Sequence, residues 1–367
     1  MGAGYLTAGL LSLLALGLAG GSEPEPEREP ERERLAVALH AQSRYVSHGW
    51  VAGSEITTAG MLAALRRHPR VGRAEVFAPF AYEGLVDGLV DGGGGTGCWD
   101  VLLVEGWTGP VPQVIHTLRR ACPDIAVVHW CLDTYPNLTT VQGLDVDAFT
   151  TNSQSLVSEL SRTAPTLYLA LAADPETMRP RRTPRAEYAH PVVYLGQASP
   201  TKHRLVPMLT EVAPLGLAIY GMAWDRDERY APLLPYWKGI LPRHDIADLY
   251  SSAQVILGTT EDKQRDMGMV NNRVFEALAC GAPLVTDAFP ALEAMVGDTV
   301  GFIRAPGDAY RAVAHLLLND TRRREVSEAG RRVVLERHTY DHRVVSSGHA
   351  ARVSSRHPAM PPPRRLA

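Results

Sequence analysis

The chain has 367 residues, of which 45% are hydrophobic and 7% are aromatic. A chain of this length and apolar content can bury a large core, and its length suggests two domains. Its 37 basic and 40 acidic residues give a formal net charge of −3. Because there is no global excess of positive charge, the composition argues against nucleic acid as a partner.

The four cysteines form no CxxC pair and show no metal-ligand spacing. The sequence therefore predicts no cysteine-based metal site. Cys131 and Cys280 lie in apolar runs and are interpreted as core residues. Whether Cys98 and Cys122 pair with each other is left open.

The N-terminus carries an apolar run, Tyr5–Ala19, with the length of a signal-peptide core. Residues 1–21 are predicted to be a signal peptide or a signal-anchor, which would allow membrane association. Residues 22–34, SEPEPEREPERER, are predicted to be a disordered charged tether. These features favour the secretory pathway, where Asn137 and Asn319 would be glycan acceptors. A cytoplasmic protein is the alternative, since the run lacks a basic region before it.

Residues 35–178 alternate buried-strand patterns with helical patterns. This alternation predicts an α/β domain with a parallel sheet wound on both faces, which holds ligands at the carboxyl ends of its strands. The predicted strands and helices, in chain order, are 35–40, 54–67 (helix), 75–78, 100–104, 111–121 (helix) and 125–130.

Polar side chains follow three of these strands. The loop His48–Glu55 leads from the first strand into a helix N-terminus, where amide groups can face an anion. Glu105 ends another strand, and His129 with Asp133 end the next. A plain loop and a hydrogen-bonded structural histidine are the alternative interpretations of the first and third places.

The second half begins after Arg179–His190, a basic, Pro-rich stretch that is typical of an interdomain linker. Residues 191–320 are predicted to form a second α/β domain, followed by a helix over 321–345 and a disordered tail over 346–367. Thr259–Gly268 is interpreted as a polar irregular segment. Strands of this domain are predicted at 192–196, 217–220, 236–241 and 254–257.

The stretch Met269–Asp287 reads as a helix followed at once by a buried strand. Gly281 stands where a helix C-cap would be, and Pro283 prevents the helix from continuing. Arg273 and Glu276 lie three residues apart on one side of the helix. At the carboxyl edge of a sheet, this pair suits a nucleotide, because the cation can meet phosphate and the carboxylate can accept ribose hydroxyls. A surface salt bridge is the alternative.

Residues 273–287, RVFEALACGAPLVTD, resemble the donor-site helix of GT-B glycosyltransferases. The resemblance is to the CgeB-like (spore maturation protein) group in particular, which is related to the retaining family-four transferases. It covers residues 100–345 and is strongest from Tyr194 onward. It implies two Rossmann-like domains that face each other across a cleft, with the C-terminal helix crossing back onto the first domain. The sequence HTYDHR, residues 338–343, resembles the closing motif of the family.

The function implied by this resemblance is sugar transfer from a nucleoside-diphosphate sugar to an acceptor hydroxyl, with retention of configuration. The enzyme would be hexosyltransferase-like, and its acceptor would be a glycan, a protein or a small molecule. No metal or other cofactor is implied, because enzymes of this fold handle the diphosphate with cations and helix dipoles.

The resemblance also implies roles for individual residues. Lys202 and Arg204 would bind the diphosphate with help from Arg273, and Glu276 would bind the ribose. Asp133 or His129 would orient or deprotonate the acceptor hydroxyl, and Asp133 has the stronger claim. The remaining positions are Gly196 and Asn272 at the donor and Gly53 and Glu55 in the loop near the phosphates and the acceptor.

One position departs from the family pattern. Many retaining GT-B enzymes have two glutamates separated by seven residues; Glu276 fits the second, but Gly268 stands at the first. Nearby acidic residues such as Glu261 are out of register. This departure leaves two alternatives open: a non-catalytic binding or scaffold protein of the same fold, and a nucleotide-sugar epimerase.

Overall fold

The computed structural model describes residues 34–41, 53–77, 98–105, 111–132 and 138–344 of the protein. The predicted signal segment, the charged tether except its last residue Arg34, Asn137, Asp133 and most of the loop His48–Glu55 lie outside these ranges. Within them, no helix is long and apolar enough to cross a membrane.

A six-stranded parallel sheet forms the core of the first domain, in the order β2-β1-β3-β4-β5-β6. The strands read as hydrophobic runs because helices cover both faces of the sheet. The strands are β1 Leu35–His40, β2 Val71–Phe77, β3 Val101–Val104, β4 Ala126–Cys131, β5 Ala148–Thr151 and β6 Thr166–Tyr168. The helices are α1 Gly53–Arg67, α2 Val111–Ala121, α3 Leu138–Gln142 and α4 Gln154–Leu160.

A five-stranded parallel sheet forms the second domain, in the order β11-β10-β9-β7-β8. The strands are β7 Val192–Leu195, β8 Leu217–Tyr220, β9 Val255–Gly258, β10 Leu284–Asp287 and β11 Gly301–Ile303. The helices are α5 Leu205–Val212, α6 Ile246–Ser252, α7 Asp262–Asp266, α8 Asn272–Ala279, α9 Pro290–Val296, α10 Asp308–Leu318, α11 Asp320–Arg337 and α12 Tyr340–Val344. The predicted α/β class with two parallel sheets is therefore confirmed.

The stretch Met269–Asp287 folds as α8 and β10, close to the bounds that its sequence indicates. Two other segments differ from their predictions. Residues 236–241 are not a strand: a 3-10 helix over Glu228–Tyr236 contains two prolines, and Gly239 has a φ of +93° that breaks an extended chain. Only an isolated bridge joins Trp237 to Ile219 of β8. The polar segment Thr259–Gly268 contains the short helix α7.

The chain returns to the first domain immediately after α11. A bridge between Ala173 and Thr339 begins this return. The backbone N–H of Ala173 donates to His338 at 3.0 Å, and that of Tyr340 donates to Ala173 at 3.0 Å. Helix α12 then packs on α1, where the buried ring of Tyr340 covers Gly60. The crossing is thus made by a short separate helix, since α11 ends at Arg337.

Ion pairs reinforce this crossing. Arg67 at the end of α1 bonds Asp174 through Nη2 at 2.9 Å and Asp341 of α12 through Nε at 2.9 Å. Asp174 is buried, so this bond works in a partly desolvated setting and is stronger than an exposed pair. One side chain therefore joins α1, the segment after β6 and α12.

The structure resolves whether Cys98 and Cys122 pair, which the sequence leaves open. Cys98 and Cys122 form a disulfide, with their Cα atoms 5.4 Å apart. Cys131 and Cys280 take part in no disulfide and are buried, as their apolar surroundings predict.

The contact between Gly60 and Tyr340 generates a test of the crossing. A Cβ at Gly60 would lie 2.4 Å from Cδ2 of Tyr340, whose ring is buried and cannot retreat. Although alanine is the better helix former, we expect Gly60→Ala to lower the free energy of unfolding by about 1–3 kcal/mol because of overpacking.

Chemical denaturation measures this change. Gly143→Ala is the matched control, because its Cβ would meet no atom closer than 3.5 Å. Equal stability of the Gly60→Ala variant and the wild type would contradict the packing described for α12.

Candidate functional site

A cleft lies between the two sheets and has two adjoining compartments. The smaller compartment, of about 150 Å³, is lined by the ends of β7 and β8, the start of α8 and Ile56 of α1. The larger compartment, of about 570 Å³, runs along α1 towards Tyr340. Ile56 and Glu276 line both compartments, so these two residues mark the boundary between them.

Five of the six predicted donor residues meet in the smaller compartment. They come from two strand–helix connections that are about seventy residues apart in sequence but adjacent at the carboxyl edge of the second sheet. These residues are Gly196, Lys202, Asn272, Arg273 and Glu276.

The other predicted positions are placed differently. Arg204 is exposed and lines neither compartment. His129 is 0% exposed, with Nδ1 3.0 Å from Sγ of Cys131 and its ring against Phe149, so no ligand reaches it in this conformation. Glu105 is also buried, and Thr58 of α1 donates to it at 3.4 Å. Asp133 lies outside the described residues.

Two cations lie beside Tyr194. Nζ of Lys202 donates to Oη of Tyr194 at 3.5 Å, and the guanidinium of Arg273 lies 5.6 Å from the centroid of the same ring. A Cβ at Gly196 would stand 2.8 Å from Nη2 of Arg273, so glycine is what lets this guanidinium lie across the end of β7. The result is a positive edge on the smaller compartment.

The floor of the compartment is made of closely packed backbone. Gly221 follows β8 with a φ of +139°, and a Cβ there would lie 2.1 Å from the carbonyl oxygen of Gly196. Nε1 of Trp224 donates to that same oxygen at 3.0 Å. Only glycine at position 221 permits this approach, which leaves backbone and not side chain facing the cleft.

The start of α8 points at the cleft as well. Asn271 precedes the helix in an extended conformation, and its Nδ2 donates to Oγ1 of Thr260 at 3.1 Å. The N-terminal partial positive charge of α8 adds to the charges of Lys202 and Arg273. The three together favour a ligand with more than one negative charge.

Glu276 is the buried acid of the site, with 3% of its surface exposed. Nδ2 of Asn272 donates to its Oε1 at 2.5 Å. Burial raises the pKa of Glu276 to about 7, although the positive charge of Arg273, the Asn272 hydrogen bond and the charge of Arg243 all oppose the rise. Near neutral pH the side chain therefore changes readily between acid and carboxylate, and can exchange hydrogen bonds with a hydroxylated ligand.

A second acid with a perturbed pKa lies in the first domain. Glu55 lies in the first turn of α1, which begins at Gly53. Burial raises the pKa of Glu55, and the positive charge of Arg243 from the second domain opposes the rise. Gly53 and Glu55 lie at a helix N-terminus, but neither lines either compartment.

Sequence reasoning missed three residues of the site. Tyr194 is hidden within an apolar strand, VVYL, and only its hydroxyl signals a polar contact. Tyr250 of α6 is buried, hydrogen-bonds Arg273, and has a raised pKa because of its burial. Arg243 acts on Glu55 and Glu276 from distant parts of the sequence, and no local pattern could indicate that.

Comparison with solved structures decides the fold. Sucrose-phosphate synthase from Thermosynechococcus elongatus superimposes with a TM-score of 0.62 at 14% identity, covering 85% of this chain and 96% of that one. HepE from Anabaena, in complex with UDP and glucose, gives a TM-score of 0.54 at 14% identity, covering 85% and 97%. The chain has the GT-B fold.

A third GT-B neighbour is T4 phage BGT, in complex with its UDP-glucose substrate. It gives a TM-score of 0.54 at 12% identity, covering 82% of this chain and 94% of that one. Residues 202–346 match a family model described as glycosyl transferase-like, which includes Lys202, Arg273 and Glu276. No curated protein sequence matches the chain significantly. The predicted GT-B architecture is confirmed, and the sequence match is confined to the second domain and the crossing.

The buried acid generates a test of its environment. Because the folded protein holds a proton on Glu276 more tightly than the unfolded chain, ionising Glu276 destabilises the fold. As the pH rises from about 4.5 to about 7, ionisation of Glu276 should lower the unfolding free energy of the wild type by about 3 kcal/mol. Glu276→Gln cannot ionise, so we expect it to be more stable than the wild type at pH 8 and nearly equal to it at pH 4.5.

Denaturant titrations at several pH values measure the difference. Glu336→Gln, at an exposed position on α11, is the matched control and should follow the wild type at every pH. A constant offset between Glu276→Gln and the wild type across this range would mean that Glu276 is not the group that burial perturbs.

Proposed function

We propose that this protein is a glycosyltransferase that moves a sugar from a nucleoside-diphosphate sugar to an acceptor hydroxyl. The observation that carries the proposal is the convergence of Lys202, Arg273 and Glu276 in one compartment at the carboxyl edge of the second sheet. The GT-B fold and the glycosyl transferase-like match over residues 202–346 support the same conclusion. The neighbours HepE and BGT, which are solved with UDP or UDP-glucose, add support by analogy.

The two cations account for the departure of the leaving group. As the bond between the sugar and the diphosphate breaks, negative charge accumulates on the diphosphate oxygens. Lys202 and Arg273, held beside the Tyr194 hydroxyl, are already in place to stabilise that charge, and the N-terminus of α8 assists them. Because these groups need little rearrangement, their stabilisation favours the transition state over the free donor.

Glu276 accounts for recognition of the ribose. Its carboxylate would accept hydrogen bonds from the ribose hydroxyls, and Asn272 and the positive charge of Arg273 hold it in the ionised form once the donor is bound. A buried acceptor of this kind discriminates against ligands that lack the hydroxyls, because they would leave a buried charge unpaired.

The finer features of the reaction rest on the resemblance of the sequence to CgeB-like transferases. We propose a hexosyl donor, retention of configuration and catalysis that needs no metal. We propose Asp133 as the group that orients or deprotonates the acceptor hydroxyl, because His129 is enclosed in the core. Proton NMR of the first-formed product would show its anomeric configuration, and an inverted product would contradict retention.

The proposed location is the secretory pathway, with the N-terminal apolar run as signal or anchor. The disulfide between Cys98 and Cys122 supports it, since such bonds persist mainly in oxidising compartments. Glycosidase-sensitive mass at Asn319 or Asn137 in the protein isolated from its host would support the same location, and an unprocessed, unmodified N-terminus would contradict it.

One observation favours a second function, a binding protein that lost catalysis. Gly268 stands where many retaining enzymes have a glutamate, and its φ of +68° is a conformation that glutamate adopts only with strain. The local backbone is thus built for glycine. Release of nucleoside diphosphate that depends on an added acceptor hydroxyl would exclude this second function.

Donor binding tests the proposal directly. Isothermal titration against uridine, guanosine, adenosine and thymidine diphosphates and their sugars should give one base that binds best. For that ligand we expect Lys202→Ala and Arg273→Ala each to weaken binding about 10- to 100-fold, because each removes a charged contact to the diphosphate.

Lys238→Ala is the matched control, since Lys238 is exposed and lines neither compartment. It should bind like the wild type. Circular dichroism verifies that every variant is folded. Unchanged affinity in both Lys202→Ala and Arg273→Ala would place the diphosphate elsewhere and overturn the proposal.

A further inference from the structure

Apart from Glu276 at its boundary, the larger compartment of the cleft contains none of the residues of the proposed donor site. Its volume of about 570 Å³ falls within the range of pockets that hold small molecules. One wall is the face of α1 that carries Ile56, Ala59 and Ala63, and Met178 lies among the residues that line the rest. These side chains offer an apolar surface to a ligand body.

One cation in this compartment, Arg243, has no ion-pair partner among the described residues. It is half-buried and lines the compartment, and its side chain makes no hydrogen bond or salt bridge with any of those residues. Its charge acts on Glu55 and Glu276 only at longer range. Because a partly desolvated guanidinium is less well screened by water, it attracts an anion more strongly than an exposed guanidinium does.

The other charged groups in the compartment are already engaged. Nε of Arg181 lies 3.4 Å from Asp248. Three acids line the compartment: Asp174 and Glu176 pair with Arg67 at 2.9 Å and 3.3 Å, and Glu276 lies at the boundary with the smaller compartment. The pairing with Arg67 reduces the repulsion that Asp174 and Glu176 would exert on an anion, and Arg243 is the group that would bind one.

We propose that the larger compartment is a separate binding site for a small amphipathic anion. The apolar body of this ligand lies against α1 and Met178, and its phosphate or carboxylate group bonds Arg243. The site is distinct from the donor compartment, because Arg243, Ala59, Ala63 and Met178 line the larger compartment and not the smaller one. Only its coupling to donor binding rests on the function proposed above.

The coupling follows from the position of Glu276, which lines both compartments. The positive charge of Arg243 favours the ionised carboxylate that would bind ribose. An anion on Arg243 cancels this charge, so the carboxylate is less favoured and the donor binds more weakly. By thermodynamic linkage, bound donor lowers the affinity of the site for the anion by the same factor.

Isothermal titration of the full chain with phenyl phosphate and with phenylacetate tests the site. We expect saturable binding of at least one probe to the wild type. We expect Arg243→Ala to weaken it about tenfold or more, Arg243→Lys to retain most of it because the charge remains, and Lys202→Ala to leave it unchanged. Arg204→Ala removes an exposed arginine outside both compartments and is the matched control. The better probe shows whether phosphate or carboxylate is preferred.

Three results would overturn the site: neither probe saturates at millimolar concentration, Arg243→Ala binds like the wild type, or Lys202→Ala loses the probe and so places it in the donor compartment. With the probe saturating, donor affinity should fall about fivefold or more, and an unchanged affinity would overturn the coupling. Probe binding in a protein that binds no nucleotide would refute the proposed donor site while leaving this site intact.

Discussion

The cleft depends on the hydrogen bonds that Arg343 of α12 makes to the end of the first domain. Its guanidinium donates to the carbonyl oxygens of Ala170 at 2.8 Å and Leu171 at 3.0 Å, and also to that of Arg337 at 2.9 Å. Loss of hydration lowers the pKa of Arg343 to about 10, and the tyrosines Tyr340 and Tyr168 oppose the fall. The side chain remains charged at neutral pH, so these bonds are charge-assisted and strong.

The hydrogen bonds of Arg343 also affect the cleft, far from Arg343 itself. They fix α12 on α1, and α1 places Ile56 at the boundary of the two compartments. With α1 in place, Glu276 is buried between the domains and its pKa approaches neutrality. If α12 released α1, Glu276 would meet water and become an ordinary surface acid. The chemistry of the second domain thus depends on contacts made by the last turn of the described chain.

The sequence predicts the parts of this arrangement that local pattern controls. Strand and helix periodicity identifies the two parallel sheets, and the helix–strand pattern of residues 269–287 identifies α8 and β10. The resemblance adds the crossing and five residues that line the smaller compartment. Residues 236–241 show the limit of pattern: their apolar and aromatic residues predict a short strand, but the prolines before them and the positive φ of Gly239 prevent a regular one.

Direction and distance explain the remaining differences at the site. Lys202 and Arg204 are two residues apart in the connection before α5, and only Lys202 lines the cleft, while Arg204 is exposed. His129 lies on β4, a strand that is covered on both faces, so its side chain is buried on either face. The charge of Arg243 acts on Glu55 of the first domain, and Arg343 bonds the carbonyl oxygens of Ala170 and Leu171; both interactions join segments more than a hundred residues apart in the chain. No single-sequence pattern specifies contacts at that range.

The pH dependence of donor affinity is the most direct test that the cleft binds a donor through its buried acid. A nucleoside-diphosphate sugar is the right ligand, because its diphosphate does not titrate near neutrality. If Glu276 binds ribose as a carboxylate, affinity should be constant above about pH 8. It should then fall by up to about tenfold per pH unit below pH 7. In Glu276→Gln it should be weak and independent of pH. The range from about pH 5.5 to about pH 8.5 spans the titration of Glu276, whose pKa is about 7. A wild-type affinity that does not change across this range would contradict the account.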